Sequence, residues 1–295
     1  MHAFESMGNA LKAMAEDHKI WRIPVLLMGI STALMAIIGI GDDAGMANYS
    51  SDLSWGLVIP LVIIALALRI PPFYYPTRAY KLKHLGKPII ESELLMESFI
   101  EGLKVILVSI VYGLLAWFMA LVLLIPAIVF YFLVPKPAGY GLAGAAAIPA
   151  VLFIIGTMVM RIPAYIWLDD FSAGIDVIGL AWEEKKETML FGLVLLVAVV
   201  GLIGAASGIM LAISWASNGL IAALLIGIID GLLTGLANAL ANVSGAEMFV
   251  RISGRPTWRK KDEVEVIRTG SQVSELRRAP LSFFRPHRGF YLRRA

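Results

Sequence analysis

Six stretches of the chain are almost wholly apolar, with polar punctuation between them. They run over residues 20–40, 55–75, 104–133, 141–167, 189–215 and 219–249. Each is long enough for a membrane-spanning helix, which needs about 20 mostly apolar residues. The third and sixth exceed that length, so they are expected to tilt, kink or project from the bilayer. Pro126 is expected to bend the third, because proline removes a backbone donor and clashes with the preceding turn. Three further stretches alternate at helical spacing. In residues 1–19, Phe4, Met7, Leu11 and Met14 share one side while Glu5, Lys12, Glu16 and Asp17 lie elsewhere. This predicts an amphipathic helix on the membrane surface. Residues 91–102 repeat the pattern with Leu94, Leu95, Phe99 and Leu103, and residues 172–188 with Phe171, Ile175, Ile178 and Trp182. Both read as helical extensions or interfacial anchors.

Composition agrees with several spans rather than one soluble core. The chain is 59% hydrophobic and 16% charged, where a soluble domain carries about 25% charged residues. It has no cysteine, which excludes disulfides, thiol catalysis and thiolate metal sites. The first apolar run has no small-residue cleavage site after it and is expected to be retained as a span.

The predicted fold class is therefore all-α: a polytopic membrane helical bundle of six transmembrane helices with interfacial amphipathic helices. Residues 1–19 form the surface helix, 20–250 the membrane domain and 251–295 a basic tail. Threading the spans places 24 of the 25 Lys and Arg on one side, with Lys136 alone on the other. By the positive-inside rule this predicts a cell-membrane protein with both termini cytoplasmic. The tail accounts for 12 of the 24, so loops and span ends vote 12 to 1. Asn48-Tyr49-Ser50 then lies outside as a glycosylation sequon.

A weak internal repeat joins Arg69-Ile70-Pro71 at the end of the second span to Arg161-Ile162-Pro163 at the end of the fourth. The plainer reading is an arginine snorkelling to the interface beside a helix-ending proline.

The sixth span carries the sharpest candidate site. Asp230, Thr234, Asn238 and Asn242 recur every four residues and share a face. A charged Asp at mid-bilayer costs roughly 2.5–3.5 kcal/mol, so Asp230 must face the interior, be protonated or find a partner. It reads either as a coupled-ion or headgroup site or as a hydrogen-bonded staple. Gly227, Gly231, Gly235 and Ala239 form the adjacent stripe, which favours close helix packing. Gly204, Gly208, Ala212 and Ala216 offer a match on the fifth span, and the two are expected to pack together.

No catalytic constellation is present. The four histidines, His2, His18, His84 and His287, all lie outside the spans. The acids Asp169, Asp170, Asp176, Glu183, Glu184 and Glu187 lack the paired spacing of membrane alcohol-phosphatidyl transferases and read as a solvated helix face. No cofactor and no metal is expected. The tail holds 12 Lys/Arg against 4 acids. Arg285, Arg288, Tyr291, Arg293 and Arg294 are candidate contacts for anionic lipid or a protein partner. Nucleic acid is the least favoured partner, and oligomerisation stays open.

The stretch Glu97-Ser98-Phe99-Ile100-Glu101-Gly102-Leu103-Lys104-Val105 resembles the lead-in to a span in archaeal six-span membrane proteins of unknown function. A surface helix like that around Asn9-Ala10-Leu11-Lys12 precedes their first span. Pro163-Ala164-Tyr165-Ile166-Trp167 through Phe191-Gly192-Leu193 is similar to the same group and, more distantly, to the membrane domain of glycerophosphodiester phosphodiesterases. The resemblance covers residues 7–254. It implies an all-helical domain, non-catalytic where fused to an enzyme, and brings no catalytic residue. The expected function is a membrane scaffold or complex subunit without its own covalent chemistry. The alternative is a small transporter with Asp230, Thr234, Asn238 and Asn242 along its path.

Overall fold

The computed structural model describes residues 2–38, 54–216 and 220–254. The Asn48 sequon and the tail contacts Arg285, Arg288, Tyr291, Arg293 and Arg294 lie outside the described residues. Every regular element among the described residues is helical: α1 (His2–Glu16), α2 (Arg22–Ile37), α3 (Trp55–Leu68), α4 (Tyr75–His84), α5 (Glu91–Leu133), α6 (Ala138–Leu168), α7 (Phe171–Glu183), α8 (Lys185–Ala216) and α9 (Leu220–Ile252). Among the described residues five segments are long and apolar enough to cross a membrane: Trp55–His84, Glu91–Leu133, Ala138–Leu168, Lys185–Trp215 and Leu220–Ile252. The first apolar stretch gives α2, which is apolar but only 16 residues long.

Large apolar side chains point away from the bundle along these helices. Leu107 is 66% exposed, Phe118 59% and Val197 64%. A water-facing surface does not carry so continuous an apolar area; a lipid-facing one must. At one end of the bundle Trp55 and Trp215 stand exposed. There the Lys136 ammonium lies 5.0 Å from the Tyr140 ring centre and 5.7 Å from that of Tyr131. Such aromatic girdles settle at headgroup level.

The opposite end is a charged cap. At 33 residues, α9 is about 50 Å long at 1.5 Å per residue, against a hydrocarbon core of about 30 Å. Its surplus runs into this cap and is almost fully buried from Asn242 to Val250. The 43-residue α5 is longer still. It takes up the expected amphipathic stretch 91–102 and continues unbroken through Pro126.

The structure corrects the reading of α1. Met7 and Met14 do share a face, but that face also holds Ala3, Ala10 and Ala13 and is buried in the core of the cap. Phe4 and Leu11 are about half exposed on an adjacent face. The small alanines let α1 lie close on α8 and α9. Polar contacts fix it there, with Glu187 accepting from the Ala3 amide at 3.1 Å and Arg251 pairing with Glu5, and Lys83 of α4 adds a pair with Glu16 at 3.3 Å.

The two Arg-Ile-Pro motifs behave differently. Pro71-Pro72 breaks the helix into a 3-10 turn, Pro71–Phe73, before α4, whereas Pro163 stays inside α6. Arg69 donates from Nε to the Ser31 hydroxyl at 3.0 Å. Arg161 does not snorkel. It is wholly buried, donating from Nε to the Gly174 carbonyl at 2.8 Å and from Nη1 to the Tyr112 carbonyl at 2.9 Å. Its guanidinium lies 4.6 Å from the centre of the Tyr112 ring. Gly174 allows this approach, since a Cβ there would run into the Tyr112 ring.

Candidate functional site

One helix, α9, presents two stripes about 100° apart, the step of a single residue. Gly227, Gly231 and Gly235 form the first. A Cβ at Gly231 would strike the Met28 carbonyl, and one at Gly235 would sit 2.8 Å from the Val25 Cα. The close partner of the glycine stripe is therefore α2, not α8 as the sequence pattern suggested. Gly204 and Gly208 are exposed, with no atom near enough to meet a Cβ. A glycine stripe permits close approach but does not say which helix approaches, and the intimate contact went to the short helix α2.

With the glycines turned to α2, the second stripe faces α8. Between α8 and α9 runs a groove of about 320 Å³. The α9 wall carries Asp230, Leu233, Thr234, Ala237, Asn238 and Ala241; the α8 wall carries Val199, Leu202, Ile203, Ala206 and Met210. Three of the four predicted polar residues therefore line one cavity. The eleven steps from Asp230 to Ala241 make it about 16 Å long. Thr234 is exposed and Asp230 half-buried, so the groove opens sideways from the bundle.

The fourth polar residue, Asn242, is not among the lining residues. It is buried and donates from Nδ2 to the Asn238 carbonyl at 2.9 Å and to Asn238 Oδ1 at 3.1 Å. Asn238 in turn donates from Nδ2 to the Pro72 carbonyl at 2.8 Å. The 3-10 turn breaks the helical ladder, so this carbonyl is satisfied by a side chain from α9. Asn238 and Asn242 thus brace the turn, while Asp230 and Thr234 are polar groups of the groove's α9 wall.

A second ionisable centre escaped the sequence analysis. Glu247 is 2% exposed. Its Oε1 accepts from Asn9 Nδ2 at 2.8 Å and from Arg251 Nε at 3.1 Å, and its Oε2 accepts from the Tyr80 hydroxyl at 2.6 Å. Both oxygens are used, as burial of a carboxylate demands. The sequence signal was the Glu247–Arg251 spacing, a stabilising i,i+4 pair, obscured because Glu247 falls inside an apolar run.

Two of the acids near α7 serve structure. Asp170 caps α7 by accepting from the Ser172 amide at 2.9 Å, and Asp169 ends α6 in the left-handed conformation, at φ 53°. Among the described residues no group of three or more His, Asp or Glu is placed to hold a metal ion.

No known protein family, curated protein or solved structure matches the chain.

Proposed function

We propose that this is a six-span membrane protein, α2 being the first span, that binds a small ligand inside the bilayer and acts as a carrier without covalent chemistry of its own. The observation that carries this reading is the α8–α9 groove with Asp230 and Thr234 among its lining residues. A concave, mainly apolar site of 300 Å³ or more with a few convergent polar groups is the usual form of a small-ligand site. The charged cap faces the cytoplasm, as the distribution of Lys and Arg favours. A scaffold role is the second reading. It is supported by the polar network that fixes α1 on α8 and α9 beside the end of α9 from which the basic tail departs.

Native mass spectrometry of the full chain released from nanodiscs tests the carrier reading. The wild type should retain a small-molecule adduct that is lost when Ala206→Trp fills the groove. Identical spectra for the two proteins would count against a binding groove. The cysteine-free chain also permits clean topology mapping. Lys136→Cys and Lys185→Cys should react with an impermeant maleimide from opposite faces of the membrane, and reaction from the same face would exclude this orientation.

A further inference from the structure

Arg69 places a charge in the apolar part of the bundle, and most of its guanidinium has no partner in the described chain. Its setting begins with the end of α3. The last turn tightens, so the Arg69 amide donates to the Leu66 carbonyl at 3.1 Å and not to that of Ala65. The Ala65 carbonyl takes the Ser31 hydroxyl instead, at 2.7 Å. The Ser31 oxygen in turn accepts from Arg69 Nε at 3.0 Å. A guanidinium has five N–H donors, and this bond uses one. Among the described residues nothing accepts from Nη1 or Nη2, and no carboxylate pairs with Arg69.

The position along the helices gives the depth. Arg22, at the start of α2, pairs with Glu91 at 2.8 Å on the edge of the charged cap. Ser31 comes nine residues later, about 14 Å further along α2. Gly235, Gly231 and Gly227 of α9 meet Val25, Met28 and Thr32 in turn, so Ser31 lies between the levels of Gly231 and Gly227. An arginine near a span end ordinarily extends its head toward water. Arg69 does the reverse and runs back along α3, away from the cap, to Ser31. Leu26 and Ile30 of α2 and Ile63 and Leu66 of α3 are each at least half exposed on the lipid-facing surface. Arg69 itself is half-buried.

A cation at this depth needs an anionic partner, or a bilayer defect that brings one to it. No described carboxylate supplies one, but the bilayer can. With 14 residues, α3 is about 21 Å long, against a hydrocarbon core of about 30 Å. A bilayer thins beside so short an apolar helix, which lowers the headgroups toward Arg69. We propose that Arg69 holds the phosphate of a phospholipid from the leaflet beside the charged cap. Nη1 and Nη2 form a fork on two phosphate oxygens, Ser31 fixes the orientation of the fork, and the acyl chains lie along Leu26, Ile30 and Leu66. The site is separate from the α8–α9 groove and does not depend on it.

The test uses the full chain in dodecyl maltoside, a detergent without phosphate, and native mass spectrometry of bound dioleoyl lipids. Dioleoylphosphatidate is expected to bind about ten-fold more tightly than dioleoylglycerol, which lacks the phosphate. Arg69→Gln should remove that difference. Ser31→Ala, which keeps the charge but frees Nε, should reduce it several-fold, whereas Arg22→Gln should leave it intact. Equal binding of the two lipids to the wild type would overturn the site whatever the variants do. So would a preference that survives Arg69→Gln, or one that Arg22→Gln abolishes equally. Inorganic phosphate at millimolar concentration should not displace the lipid; displacement would overturn the lipid assignment and make the ligand a soluble phosphate. Ala206→Trp should leave the preference unchanged, and its loss there would move the phosphate from Arg69 to the groove.

Discussion

Asn9 donates from Nδ2 to Glu247 Oε1 at 2.8 Å, joining α1 to α9 across 238 positions. Tyr80 of α4 reaches the other oxygen of the same carboxylate. One buried acid thus fixes α1, α4 and the end of α9 relative to one another.

Removing that acid should loosen the cap as a unit. Glu247→Ala leaves Asn9 and Tyr80 without this acceptor and Arg251 with Glu5 alone, and breaking a buried charged pair costs about 3–5 kcal/mol. Glu247→Gln keeps one acceptor oxygen and should cost less. Thermal unfolding in detergent, read together with protease cleavage within α1, measures both. Wild-type stability for Glu247→Ala would show that the cap does not depend on it.

The two glycine stripes should respond differently to the same substitution. Gly231→Leu drives a side chain into the α2 backbone; overpacking of this kind costs about 1–3 kcal/mol. Gly208→Leu meets open space and should lie within about 0.5 kcal/mol of the wild type, as for surface changes generally. Equal losses at the two positions would contradict the assignment of α2 as the close partner.

Asn238 and Asp230 should separate stability from binding. Asn238→Ala removes the donor to Pro72 and an acceptor of Asn242, leaving buried polar groups unmet at about 1–3 kcal/mol. Asp230→Asn should leave the unfolding temperature near that of the wild type. The opposite ranking in an unfolding assay would assign the bracing role to Asp230.

Arg161 should be replaceable. Its Nη2 is buried with no hydrogen-bond partner, and the carbonyls it meets belong to helices α5 and α7, whose backbone bonds already engage them. Burying a charge that meets carbonyls rather than a carboxylate is costly, and an apolar side chain of similar volume removes that cost. Arg161→Met should therefore unfold no earlier than the wild type, whereas Arg161→Ala leaves a cavity and should cost about 2–5 kcal/mol. A large loss in Arg161→Met would mean that the guanidinium itself holds α7 in place.

Much of the helical plan was legible because it depends on local spacing. Apolar runs of bilayer length predicted α5, α6, α8 and α9, and the four-residue recurrence placed Asp230, Thr234 and Asn238 on one face. What stayed hidden depends on partners remote in sequence. Nothing near Gly231 says that Met28 lies against it. Arg161 looked like an interfacial arginine because a terminal Arg-Ile-Pro is compatible with either fate; the deciding residues, Tyr112 and Gly174, stand on other helices. The face of α1 was assigned from its large residues, but Ala3 and Ala10 define its contact. Close packing selects the smallest side chains, which a hydrophobicity pattern hardly registers.

The seating of α2 against the glycines of α9 has a consequence for biogenesis. α2 emerges from the ribosome some two hundred residues before the surface that receives it. Until then α2 must wait in the translocon or the bilayer beside α3, whose Ala65 carbonyl accepts a 2.7 Å bond from the Ser31 hydroxyl. The close contact of α2 forms only when α9 arrives. Nascent chains released before Gly235 should therefore be held by membrane quality control rather than mature as smaller bundles.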